Sequence, residues 1–109
     1  MIDWGQVKSL RDEVGHEDFD EVVELFLEEV EEVVTRLQNK AQMTELESDL
    51  HFLKGSAMNL GFSEFSMLCQ DGESRAASGH AVEIDIDKVI NCYAVSKTKF
   101  IEELPALVS

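Results

Sequence analysis

Proline and cysteine are nearly absent from this chain: of 109 residues, one is proline (Pro105) and two are cysteine (Cys69 and Cys92). Two thiols cannot build a multi-bridge framework, and both fall in apolar helical patterns, so a reduced pair without a disulfide is expected. Basic residues are scarce as well, with 9 Lys and Arg against 23 Asp and Glu and a formal charge of -14. A surface this negative repels phosphate backbones and anionic lipid, which argues against nucleic acid and membrane partners and favours basic or locally neutral protein surfaces. No apolar run is long enough to span a bilayer. The opening Met1-Ile2-Asp3-Trp4 lacks a basic segment followed by an apolar one, so the chain is expected to stay in the cytoplasm. Neither a GxxxxGK[ST] element nor a glycine-rich loop is present, so no nucleotide pocket is expected.

What the chain does have is a globular balance, with 44% apolar and 29% charged residues. One domain over residues 1–109, large enough to bury a core, follows from that length. Apolar residues recur at intervals of three and four, so helices should dominate and no strand is expected. Asp3 should cap a short helix reaching about Glu13, with Trp4, Val7 and Leu10 on one face and Gly15 as its stop. A second helix from about Glu17 to Asn39 carries the stripe Phe19, Val22, Val23, Phe26, Val30, Val33 and Leu37. Opposite it stand Glu17, Asp18, Asp20, Glu21, Glu24, Glu28, Glu29, Glu31 and Glu32, read as a solvated face that adds solubility and steers partners of opposite charge.

The third helix, from about Thr44 to Asn59, turns Leu46, Leu50, Leu53, Ala57 and Leu60 inward before Gly61. A fourth, from about Ser63 to Ala77, buries Phe65, Leu68, Cys69, Gly72 and Ala76 and ends in the Ser78-Gly79-His80 turn. Asp85 or Asp87 should cap a fifth helix bearing Val89, Cys92, Tyr93, Ser96, Phe100 and Leu104, with Pro105 closing it. The expected fold is therefore all-α, an antiparallel up-down four-helix bundle with a short additional N-terminal helix lidding one end.

Candidate chemistry concentrates in Asp49-Leu50-His51-Phe52-Leu53-Lys54-Gly55-Ser56-Ala57-Met58-Asn59-Leu60-Gly61-Phe62. At about 100° per residue, His51 lies roughly 130° from the centre of the apolar stripe, so its imidazole should reach solvent. Lys54 and Gly55 share its face. Glycine inside a helix costs about 1 kcal/mol relative to alanine, so some other advantage must offset it here. A missing Cβ clears room for a large group approaching the imidazole, and Lys54 offers it positive charge. Lys54 is also the sole formal charge between Leu50 and Ser63. An incoming phosphoryl group suits all three residues, because a neutral imidazole is a competent nucleophile. Met58, one turn further along the face, with Phe62 at the helix end and part of Phe52, would present apolar area to a partner; methionine adapts to more than one surface. His16 and His80 sit in turns and read as ordinary surface residues. A di-metal carboxylate site would need Glu-x-x-His repeats pointing inward, whereas Ser48 precedes His51 by three and His51 points outward, so no metal is expected.

The run His51-Phe52-Leu53-Lys54-Gly55-Ser56-Ala57, followed by Asn59-Leu60-Gly61, resembles the signature of histidine-containing phosphotransfer (HPt) domains. The similarity extends along nearly the whole chain, through Trp4, Gly15, Phe19, Phe26-Leu27-Glu28, Leu68-Cys69 and Glu73. It implies that His51 is the phospho-acceptor, that Lys54 assists electrostatically and that Gly55 gives an incoming receiver domain room. Gln70 and Glu73 fall where the family often places polar groups near the site, although a carboxylate at 73 should repel a phosphoryl group. The implied protein is a monomeric phosphocarrier without kinase activity or a cofactor of its own. It would exchange phosphoryl groups with response-regulator receiver domains, which supply an aspartate and Mg²⁺, and with a hybrid histidine kinase. Sensor kinases commonly carry an acidic residue after the acceptor histidine; Phe52 in that place fits a passive intermediate. The alternative is an acidic helical adaptor that is never phosphorylated.

Overall fold

A computed structural model describes residues 2–39 and 45–108. In chain order the elements are α1 (Trp4–Val14), α2 (Phe19–Gln38), α3 (Leu46–Leu60), α4 (Ser63–Ala77), a 3-10 turn at Ala81–Glu83, and α5 (Ile86–Val108). The expected start of the third helix at Thr44 lies outside the described residues. Four long helices pack as a bundle of 43 × 20 × 20 Å, with α1 against α3 and α2. The all-α architecture read from apolar periodicity is the one observed.

Local chemistry sets the helix ends. The Asp3 carboxylate accepts the Gln6 N–H at 3.2 Å, satisfying one of the donors that the first turn of α1 leaves open. Asp85 does the same for the Lys88 N–H at 3.0 Å, which selects it over Asp87 as the cap of α5. Pro105 does not close α5, contrary to expectation; the helix runs through it to Val108. A proline removes one backbone donor, here the one that would reach the carbonyl of Ile101. Ile101 is exposed, so water can take that donor's place within the last turns.

Gly61 joins two structural needs. It ends α3 in the left-handed conformation, at φ 76°, and its carbonyl accepts the Asp3 N–H at 2.7 Å. A Cβ there would come within 2.6 Å of the Asp3 carbonyl oxygen. The N-terminus is thereby stitched to the α3–α4 turn, and α1 covers that end of the bundle, where Gln6 also donates to the Asn59 carbonyl at 3.4 Å.

Leu50, Leu53, Ala57 and Leu60 of α3 are buried against Phe65, Cys69 and Gly72 of α4. Gly72 lets these helices approach closely: a Cβ would meet Leu50 Cδ1 at 3.0 Å. Along α2 the buried set is Phe19, Val23, Val30, Val33, Val34 and Leu37, with Val22 and Phe26 only half-buried, so the stripe is rotated slightly toward Val34. Phe62 corrects an expectation. It is 1% exposed, packs edge-on against Phe100 at 5.4 Å and tilts against Tyr93 at 6.3 Å, so it belongs to the core and not to a partner surface. The αL residue Gly61 turns the chain just before it, and the Phe62 backbone is bridged to Ile2 while its ring packs on α5.

Polar contacts also tie α2 to its neighbours. Arg36 of α2 donates to the nearly buried Asp49 of α3 at 2.6 Å. Glu31, alone among the nine carboxylates read as an outer face in being half-buried, accepts from Tyr93 at 2.8 Å and from Lys97 of α5. The Lys97 hydrogen bond holds the Glu31 carboxyl below the usual carboxylate range, against the partial desolvation that would raise it. A carboxyl lowered in the folded state contributes stability above its unfolded pKa and loses it as pH falls through the folded value. Lys97→Met should therefore lower stability at neutral pH by under about 1 kcal/mol, since the pair is partly solvated. The gap from the parent should close in acid; urea melts across pH that keep a constant gap would refute the pairing.

Candidate functional site

His51 stands on the outer face of α3, fixed there by the inward packing of Leu50 and Leu53 on either side of it in sequence. Its side chain is 69% exposed. Across the α3–α4 seam, Glu73 Oε2 lies 2.7 Å from His51 Nδ1 and Glu73 Oε1 lies 2.8 Å from Lys54 Nζ. One carboxylate thus bridges the imidazole and the ammonium. The arrangement follows from the helix hairpin: His51 and Glu73 are eleven residues before and after Phe62, so an antiparallel pair turning at Gly61-Phe62 brings them level.

The bridge has a chemical consequence. An ionised carboxylate only accepts hydrogen bonds, so Nδ1 must donate to it, and the neutral ring then carries its lone pair on Nε2. No described residue hydrogen-bonds Nε2, and the ring borders a shallow depression lined by Glu47, Ser48, His51 and Glu73. Glu73 is held ionised: the Lys54 hydrogen bond lowers its pKa below the ordinary carboxylate range, partial desolvation opposes this, and the His51 hydrogen bond adds to the lowering. The charge expected at Glu73 is thus paired with two donors, His51 and Lys54.

Gly55 follows Lys54 on the same exposed face, and a Cβ built there meets nothing within 4 Å. No packing constraint calls for glycine at this position. Met58, at 60% exposed, and Phe52, at 38%, flank the face; Phe62 does not reach it. Gln70 is exposed one turn before Glu73 on α4 and is not drawn into the bridge. Glu47 and Ser48, which border the imidazole, carried no distinguishing signal in the sequence beyond their helical spacing from His51. Among the described residues the remaining histidines pair locally, His16 with Asp12 at 3.6 Å and His80 with Ser78 at 3.0 Å and Glu83 at 4.0 Å. Cys69 and Cys92 are free thiols, and burial pushes the Cys69 thiol up to about 12, far from a reactive thiolate. Among the described residues, no group of three His, Cys, Asp or Glu is arranged to hold a metal ion, and no helix is long and apolar enough to cross a membrane.

The helical bundle thus presents His51 exposed on α3, with Glu73 at its Nδ1 and the Cβ-free Gly55 on the same face. The Hpt domain family profile matches residues 21–109, and the chain belongs to that family. Searches of curated proteins and of solved structures give no match. Hpt domains serve histidine phosphotransfer in phosphorelays, act as phosphocarriers rather than kinases, and interact with response-regulator receiver domains.

Proposed function

We propose that this chain is a monomeric, cytoplasmic relay intermediate that accepts a phosphoryl group on His51 from a receiver-domain aspartate, or by way of a hybrid histidine kinase, and passes it to another response regulator. The carrying observation is the exposed imidazole whose Nδ1 is held by Glu73 at 2.7 Å, leaving Nε2 as the nucleophilic nitrogen. In acceptance the Nε2 lone pair forms the N–P bond while the P–O bond to the aspartate breaks, and that electron pair stays on the carboxylate. Mg²⁺ belongs to the receiver's own site and neutralises charge there. This chain supplies the nucleophile, its orientation and the space for approach. Lys54 lends positive charge beside the ring, and Gly55 lets the partner backbone come close.

Met58 and part of Phe52 form the apolar contact around this centre. Met58→Glu should weaken receiver association several-fold, since the buried apolar contact is lost and a like charge is added to an acidic chain. Its melting temperature should hardly change, because the side chain is 60% exposed. Titration calorimetry with a receiver, beside a thermal melt, checks both; a large fall in melting temperature would make Met58 structural. The function itself is tested by incubating the chain with a phosphorylated receiver and Mg²⁺ and measuring its intact mass. A gain of one phosphoryl group is expected, and no gain with any receiver competent toward other Hpt proteins would reject the proposal.

A further inference from the structure

The four long helices pack in the cyclic order α2, α3, α4, α5, each against the next and α5 against α2. The α2–α5 seam is therefore the one opposite the α3–α4 seam that carries His51. Along it lies an open groove of about 620 Å³. Val34 of α2 and Ile90, Ala94 and Ile101 of α5 supply its apolar lining, and Ile101 is left 51% exposed there.

We propose that this groove is the docking site for a basic amphipathic helix of a partner protein, which it holds while a receiver domain occupies the opposite seam at His51. The sign of the occupant follows from the rim. Glu31 and Glu102 line the groove, and Glu24 and Glu28 extend the face of α2 that Glu31 and Thr35 share, at successive intervals of four, three and four residues. Glu24, Glu28 and Glu102 are exposed and have no ion pair among the described residues. Lys97, the basic side chain of the lining, is already engaged by Glu31. The rim thus keeps a negative excess that a basic segment neutralises. A second copy of this acidic chain would meet that excess with more of the same sign.

The shape favours a helix over an extended strand. Helices α2 and α5 offer no free backbone edge to pair a strand, whereas Ile90, Ala94 and Ile101, spaced by four and seven, form a ridge that the apolar face of a helix laid along it can match. The groove is also held open in advance. Glu31 accepts from Tyr93 at 2.8 Å and from Lys97, tying α2 to α5, so docking need not first order the two helices. This role is independent of whether His51 is the acceptor.

The probe is a synthetic helical peptide of about 18 residues with leucines on one face and lysines and arginines elsewhere, beside a second peptide of equal composition whose leucines are spread around the helix. Fluorescence anisotropy at about 0.15 M salt should show the one-faced peptide binding the full chain at least about tenfold more tightly, since long-range attraction is screened and burial of one aliphatic side chain is worth that much. Nitrogen-15 NMR should centre its shifts on Thr35, Ala94, Thr98 and Ile101. Ile101→Lys and, separately, Thr98→Arg should each weaken binding about tenfold; both positions are exposed, so melts and phosphoryl uptake from a receiver should match the parent. A saturating dose of peptide should leave that uptake unchanged as well. Equal binding of the two peptides would reduce the attraction to net charge and overturn the proposal. Shifts centred on α3 and α4, or competition between peptide and receiver, would overturn it by placing the peptide on the His51 face. Sedimentation that shows the chain dimerising, with the dimer lost in Thr98→Arg, would give the groove to a second copy and overturn it too.

Discussion

His51→Gln should yield a folded chain that takes up no phosphoryl group at all from a phosphorylated receiver. The side chain is 69% exposed and touches the rest of the molecule through Glu73, which keeps Lys54 as a partner when the imidazole is gone. An exposed substitution of this kind changes stability by about 0.5 kcal/mol or less, so the melt should be nearly that of the parent. Glutamine has no nucleophilic nitrogen of comparable strength, and transfer should vanish outright. In the parent the modification should be labile in acid and stable in base, as a phosphoramidate is. Peptide mapping that places the label on His16 or His80, or a His51→Gln chain that still gains phosphoryl mass, would contradict the assignment.

Gly55→Gln should move stability and rate in opposite directions. A Cβ at this position meets nothing within 4 Å, so the substitution creates no clash within the chain. Ordinary residues are favoured over glycine inside a helix by several tenths of a kcal/mol, and urea melts should show a gain of about that size. The new side chain occupies the approach to the imidazole. Displacing reacting groups by about 1 Å can cost as much as a hundredfold in rate, so transfer should slow by at least about tenfold. Stopped-flow transfer and equilibrium melts on the same preparations check the pair of outcomes. A variant that loses both stability and rate would make Gly55 a packing residue.

The sequence made some of these features legible and hid others for physical reasons. Outward placement of His51 followed from angular position alone, because Leu46, Leu50, Leu53, Ala57 and Leu60 define the buried side of α3 unambiguously and all are buried. Phe62 misled because it lies one residue past a left-handed glycine, where helical angles no longer say which way a side chain points. Pro105 misled through its missing donor, whose loss matters little at an exposed helix end. The bridge from Glu73 to His51 and Lys54 joins two helices, and periodicity within one helix carries no information about it; only the turn at Gly61-Phe62 fixes the register that makes them meet. Glu31 shows the same limit: it sits amid exposed carboxylates in sequence, and its contact with Tyr93 and Lys97 depends on how α5 lies beside α2.

A carrier must give as well as take, and a chase experiment tests this most directly. The chain is loaded from one phosphorylated receiver, freed of it, and mixed with a second, unphosphorylated receiver and Mg²⁺, while phosphoryl mass is followed on both proteins. The phosphoryl group should leave His51 at the rate at which it appears on the second receiver. A phosphoryl group that stays on the chain, or that leaves as inorganic phosphate at a rate indifferent to the second receiver, would show that this molecule is not a relay intermediate.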